Sequence, residues 1–264
     1  MSQTFAPERS GLGPVLADCT VLVRRSLRHL FRNVDEIIQA IALPIMLLLL
    51  FRYLFGGAIN TGGPSYVNYL ISGVIVLSVA FSASATAVGV ANDLQNGIVE
   101  RFRTMPMFGP AVLVGHVVSA VLRNIVSVAL VVGVGYLVDF RPDATATEWL
   151  TAGAVLLVFM LAISWMATLL GVLAGGVEAA SGYAMILVFL PYASSALVPS
   201  DNMPTVLKAV VDNQPFTPVV NAVRSLLIDL PVGNQVWLAF AWWVPILVVT
   251  TAFTMARFLK HTRR

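Results

Sequence analysis

The chain has 264 residues, of which 58% are hydrophobic and only 11% charged, with a formal net charge of +3. Soluble domains carry about a quarter charged residues and under half apolar ones, and a water-soluble globule of this length could not hide so much apolar surface. With a mean hydropathy of +0.86, the composition excludes an ordinary soluble domain and points to a polytopic membrane protein.

The first 36 residues form an arm. Over 15–32, Leu16, Cys19, Leu22, Val23, Leu27, Leu30 and Phe31 fall on one half of a helical wheel, and Arg24, Arg25, Arg28, His29 and Arg32 fall on the other. An apolar face with a basic rim lies flat in the headgroup layer; the same helix can also meet a partner. Asn33 and Glu36 then give a capping-box spacing at the entrance to the first apolar run. That run starts late, is too long for a signal core and leads into further runs, so no cleavable leader is expected. Cys19 is the only cysteine, which excludes an intrachain disulfide.

A helix needs about 20 apolar residues to cross the hydrocarbon layer. Residues 53–92, 149–177, 179–200 and 230–256 contain no acid, Lys or Arg, and 104–138 is interrupted only by Arg123. Gly56, Gly57, Gly62, Gly63 and Pro64 split the first of these runs. Six spans follow, at 37–55, 66–91, 111–138, 149–175, 179–198 and 235–258. Membrane strands would need alternating segments of roughly 10 residues, which the sequence lacks, so the fold class is all-α. Residues 259–264 form a short tail.

With six spans both termini share a side. Eleven basic residues lie in the arm, the loop between spans two and three, and the tail. Four lie opposite: Arg52, Arg141, Lys208 and Arg224. The richer side is cytoplasmic, and there the basic residues meet anionic lipid or a protein partner rather than nucleic acid. Trp149, Trp237, Trp242 and Trp243 fall near the outer helix ends, as an aromatic belt would. Lys208 and Arg224 are expected to be open to the outer solution.

Between spans two and three lies 92–106, NDLQNGIVERFRTMP. Asp93, Asn96 and Gly97 end span two; Ile98, Val99, Phe102 and Met105 then recur at helical spacing, with Glu100, Arg101 and Arg103 facing elsewhere. Taken alone, this is either a helix on the bilayer surface or a docking helix. Arg123, inside span three, either snorkels to the inner headgroups or faces a partner, for which Glu178 is the candidate. Between spans five and six, Asn202-Met203-Pro204 and Thr217-Pro218 each look like a helix start with a capping side chain. The helices that follow, near 205–211 and 218–227, are too short to cross. The segment 201–229 therefore reads as a re-entrant hairpin on the outer side, covered by protein or facing water.

Several chemistries are absent. Neither lysine stands in a phosphate-binding loop, the histidines lack metalloprotease spacing, and no serine-nucleophile elbow occurs. No catalytic or metal-ligating set is predicted. Acids at mid-membrane, which a proton-coupled secondary transporter would need, are missing, as is the nucleophile–base pair of an intramembrane enzyme.

These pieces together resemble the ABC-2 type permeases, the membrane subunits of ATP-driven exporters, in their daunorubicin-resistance branch. The matching residues are Arg24-Arg25-Ser26-Leu27-Arg28-His29, Leu43-Pro44-Ile45-Met46, Leu54-Phe55-Gly56-Gly57-Ala58-Ile59, Tyr66-Val67-Asn68-Tyr69-Leu70, Gly73, Ala80-Phe81 and Asn92-Asp93-Leu94. The run from Gly97 to Met107 and Pro215-Phe216-Thr217-Pro218 through Arg224 complete the set. The resemblance implies six spans over 37–258, a coupling helix at about 94–105 and an outer re-entrant segment before span six. It also implies pairing with a second permease copy and docking on a separate ATP-binding cassette ATPase that binds ATP and Mg, with no cofactor in this chain. Asp93, Gly97, Ile98, Val99, Glu100, Arg101, Phe102 and Arg103 would then meet that ATPase. The implied setting is a bacterial cytoplasmic membrane, and the implied cargo is hydrophobic or amphipathic, passing aromatics such as Phe51, Phe55, Phe81, Phe189 and Tyr192.

Overall fold

The computed structural model describes residues 34–56, 65–96, 111–199 and 203–262. The basic helix with Arg24, Arg25, Arg28 and Arg32, and the run from Gly97 through Arg103, lie outside the described residues. Eight α-helices follow in order: α1 Val34–Leu50, continued by a π turn Phe51–Phe55; α2 Tyr66–Gln95; α3 Ala111–Leu137; α4 Ala146–Leu173; α5 Val177–Phe189, continued by a 3₁₀ turn Leu190–Ala193; α6 Thr205–Asp212; α7 Phe216–Leu227; and α8 Gln235–Thr262. Among the described residues there is no strand.

Among the described residues, four helices are long and apolar enough to cross a bilayer: α2, α3, α4 and the Gln235–Leu259 part of α8. Ala42–Phe55 and Val177–Ala193 are apolar but shorter. The expected fifth span at 179–198 instead ends at Ala193, where Ser194 turns to extended backbone. At 1.5 Å per α residue and 2.0 Å per 3₁₀ residue it rises about 27 Å, less than the other spans.

Helix starts follow local chemistry. The Ser65 hydroxyl accepts from Asn68 N at the head of α2. Thr145 and Glu148 form a complete capping box, so α4 starts at Ala146 rather than at Trp149. The two short helices stand where the Pro and Asn breaks put them, but Pro204 and Pro215 occupy their N-caps and no side chain caps either helix. Thr217, expected as a cap, donates its hydroxyl to Val211 O and so ties the start of α7 to the end of α6.

α2 is the central element. Apolar around its whole circumference, it packs on α1, α3, α4, α5 and α7. Its start is called the upper end here and its finish the lower end. Asp93 meets His116 below, Ser82 and Thr86 meet Arg123 midway, and Asn68 Oδ1 accepts from Arg141 N above, so α3 runs antiparallel to α2. Three glycines allow close approach. A Cβ on Gly73 would lie 1.9 Å from Ala196 O, one on Gly171 2.6 Å from Ala87 O, and one on Gly135 2.1 Å from Ile71 Cδ1. Without a hydrophobic drive inside lipid, such small residues are what let helices meet.

The Phe159, Phe216 and Trp243 rings join α4, α7 and α8, with centroids 4.6, 5.1 and 5.9 Å apart and edge-to-face geometry. Trp243 Nε1 donates to Pro215 O at 2.9 Å. Trp243 is only 2% exposed, so it is a core peg and not part of an aromatic belt, whereas Trp237 is 77% exposed. Phe159 lies about 20 Å below the first residue of α4 by helical rise. At the other end of α7, Leu227 O accepts from Asp143 N above α4. α7 therefore climbs from the middle of the bundle to its top.

Gly73→Ala is expected to lower stability by about 2 kcal/mol, because the backbone of Ala196 cannot retreat as a side chain could. Gly133→Ala, which meets nothing within 4 Å, should be neutral or gain up to about 1 kcal/mol. Thermal denaturation of the purified protein in detergent compares the two.

Candidate functional site

Below the top of the bundle the chain leaves helical geometry at 194–197 while still inside it; Ser194, Ser195 and Ala196 are buried. A break there leaves carbonyls without helical partners, and those inside the bundle must find a donor. Tyr69 Oη donates to Ser195 O (2.8 Å) and Tyr66 Oη to Leu197 O (3.1 Å). Gln214 Nε2 donates to Ala193 O. Arg224, on α7, completes the set. Its Nη2 donates to Ser195 O (2.7 Å), its Nε to Tyr69 O (3.2 Å) and its Nη1 to Asn221 Oδ1 (3.0 Å). The guanidinium also lies 3.5 Å from the Tyr69 ring centroid. Asn221 Oδ1 accepts in addition from Ser195 Oγ (2.9 Å).

Arg224 is therefore buried, not open to the outer solution as its position among the loop cations suggests. The sequence held one signal for this: an Asn and an Arg three residues apart on the buried face of a short amphipathic helix.

Three of the five predicted path aromatics come together. Phe81 and Tyr192 meet edge-on at 6.3 Å, and Phe189 and Tyr192 at 6.1 Å. Phe189 and Tyr192 remain exposed, so the group opens outward from the α2–α5 contact. Phe51 and Phe55 form a separate pair, 5.2 Å apart, on the π turn.

Arg123 is buried at mid-depth, its Nη2 donating to Thr86 Oγ1 (3.1 Å) and its Nε to Ser82 Oγ (3.4 Å). Glu178 sits exposed in the first turn of α5, where the positive helix end favours it. Beside Arg123, Asn124 is 1% exposed with neither amide atom hydrogen-bonded. At the lower end, Asp93 accepts from or pairs with His116 Nε2 at 3.0 Å. Sequence reading singled out Asp93 but not its partner, which lies 23 residues away on the next helix.

Arg224→Ala is expected to cost about 3 kcal/mol, since carbonyl and amide acceptors lose their donor inside the bundle. Arg224→Lys should recover only part, because one ammonium cannot reproduce the planar fork. In a Cys-free background, Arg224→Cys should resist an impermeant thiol reagent while Val206→Cys, at a position 81% exposed, reacts readily.

Comparison with known proteins matches this architecture. The ABC-2 type transporter family fits residues 17–228. The chain is 34% identical over 213 residues to the daunorubicin resistance ABC transporter permease protein DrrB1 of Streptomyces coeruleorubidus, covering 78% of this chain and 75% of the relative. It is 22% identical over 230 residues to the probable doxorubicin resistance ABC transporter permease protein DrrC of Mycobacterium tuberculosis (strain ATCC 25618 / H37Rv), covering 85% and 83%. A third relative, the putative transport permease ycf38 of Porphyra purpurea, is 24% identical over 219 residues, covering 80% and 74%. A helical membrane bundle without strands among its described residues, matched across most of its length, belongs to the ABC-2 type transporter family and is homologous to the daunorubicin and doxorubicin resistance permeases.

Proposed function

We propose that the chain is the membrane-spanning permease subunit of an ATP-driven exporter that moves a hydrophobic or amphipathic compound, drug-like or lipid, out across a bacterial cytoplasmic membrane. The family match over 17–228 carries this reading, because it takes in the basic arm, the 92–106 segment and the short helices together. In it the chain crosses six times, with α1 and α5 as the shorter spans and both termini on the cytoplasmic side, which is the lower end. α6 and α7 form the outer re-entrant hairpin. The rise of α7 from the depth of Phe159 to the level of Asp143 supports this part.

Energy enters from a separate ATP-binding cassette ATPase that holds ATP and Mg, and two permease copies pair around the path. The described carboxylates all sit at helix ends or in loops, which favours an external energy source over proton coupling through the bundle. Segment 94–105 docks on the ATPase. Ile98, Val99 and Phe102 fill an apolar groove there, Glu100, Arg101 and Arg103 pair at its rim, and Gly97 lets the chain leave span two. Phe81, Phe189 and Tyr192 line the cargo path. The basic arm rests on the inner headgroups through Arg24, Arg25, Arg28 and Arg32.

Co-expression with the cognate ATPase tests the reading. Phe102→Ala should weaken docking by about 2 kcal/mol, roughly thirtyfold in Kd. Transport and transport-stimulated ATP hydrolysis should fall together, while the isolated ATPase keeps its basal rate. Wild-type complex yield and transport in this variant would make the segment a mere surface helix. Independently, a reporter that works only in the cytoplasm should be active when fused after Arg264; activity there of a reporter that works only outside the membrane would overturn the topology.

A further inference from the structure

The last turn of α2 touches two other parts of the bundle just before the chain enters the 97–106 segment. Asp93 is joined to His116, in the second turn of α3, at 3.0 Å, with both side chains about three-quarters buried. The imidazole is seated over Gly89, one turn above Asp93: a Cβ on Gly89 would lie 3.6 Å from His116 Cε1 and 3.7 Å from Nδ1. The ring thus lies alongside Gly89, and its Nε2 reaches down to the carboxylate. Two residues on, the Gln95 amide covers Gly176, the N-cap of α5; a Cβ on Gly176 would lie 2.5 Å from Gln95 Nε2.

Asp93 is misplaced by helix electrostatics. It stands in the last turn of α2, where the backbone carbonyls repel a carboxylate by about 0.3–1 kcal/mol. A neutral or basic side chain would suit the helix better. What the carboxylate does supply is a polar tie to α3, added to the buried apolar core to which Val90, Leu113 and Val117 belong. The tie is short and directional, and it lies at the point where any displacement of 97–106 enters the bundle.

We propose that Asp93 and His116 are positioning residues that tie together the two ends of the connection holding the 97–106 segment, the finish of α2 and the start of α3, so that its movement displaces both helices as one body. This rests on the coupling role proposed above. Pulling on the end of α2 would drag the lower end of α3 through the Asp93–His116 bond. The seat at Gly89 keeps the imidazole from swinging aside. Without the bond, the lower end of α2 could shift against α3 and the movement reaching α3 would be smaller.

The test uses the whole complex with its ATPase in nanodiscs, and it needs no cargo. In a Cys19→Ser background, an environment-sensitive dye on Leu137→Cys, 84% exposed at the far end of α3, reports movement of that helix when ATP is trapped. His116→Ala, at wild-type complex yield, and Asp93→Asn, read per assembled complex, should each reduce the ATP-dependent emission change by at least about fivefold, the lower range of coupling between sites. The exchange Asp93→His with His116→Asp should bring it back to within about twofold of wild type, and His116→Gln, which keeps an N–H donor, should retain most of it. A single variant with the full wild-type change would overturn the proposal, as would an exchange that assembles without recovery or a wild-type complex with no change. Running Phe102→Ala in parallel separates the two readings. Loss of docking there with undiminished response in the pair variants removes only the link; normal docking there removes the coupling role and the link together.

Discussion

Inside an apolar bundle a helix cannot stop without leaving carbonyls unserved, and this chain stops one at Ala193. The Arg224 guanidinium answers that constraint. It donates to carbonyls of two separate segments and one amide while lying against the Tyr69 ring. Tyr66, Tyr69 and Gln214 supply the other donors. The result is that α5 can be short, the chain can turn at 194–197, and α7 can occupy the level that a full-length span would have filled. A charge in this position is costly to bury, and breaking its network costs more than building it gained. Such a clamp therefore fixes α2, the break after α5 and α7 as one unit.

Around that unit the packing divides by depth. In its upper half α2 is buried on nearly every side, and Gly73 lets the chain at Ala196 lie directly on its backbone. Phe159, Phe216 and Trp243 lock the foot of α7 between α4 and α8. Lower down, Ser82 and Thr86 add hydrogen bonds from Arg123 between α2 and α3, and Ala87 and Val90 of α2 are buried in the same core as Leu113, Val117 and Val121 of α3. The lower half of this interface is therefore both apolar and polar, with the Asp93–His116 tie at its end.

The outward faces are consistent with lipid or a second subunit. Val244, Val248, Val249 and Phe253 on α8, and Tyr183, Met185 and Ile186 on α5, are exposed apolar side chains. α8 is long and apolar yet contributes few buried residues besides Ala239, Trp243, Thr250, Thr254 and Phe258. Its attachment to the bundle is a narrow stripe, of which Trp243 is the largest member.

The sequence by itself determined what depends on composition and near neighbours. Long uncharged runs make apolar helices, Gly and Pro clusters end them, and Asn213-Gln214-Pro215 separates two helices too short to cross. The family was legible too, in the order of motifs from Arg24 to Arg224. The Thr145–Glu148 box was equally local and was overlooked. Tertiary structure alone decided where the polar groups went. Arg224 and Trp243 have the composition of boundary residues, and only the arrival of Ser195, Tyr69 and Pro215 from distant parts of the chain makes them interior ones. The same holds for His116, whose partner lies 23 residues away on the neighbouring helix. Periodicity specifies which face of a helix is apolar, but hydrogen-bond partners are chosen by packing, and packing brings together residues up to 155 positions apart.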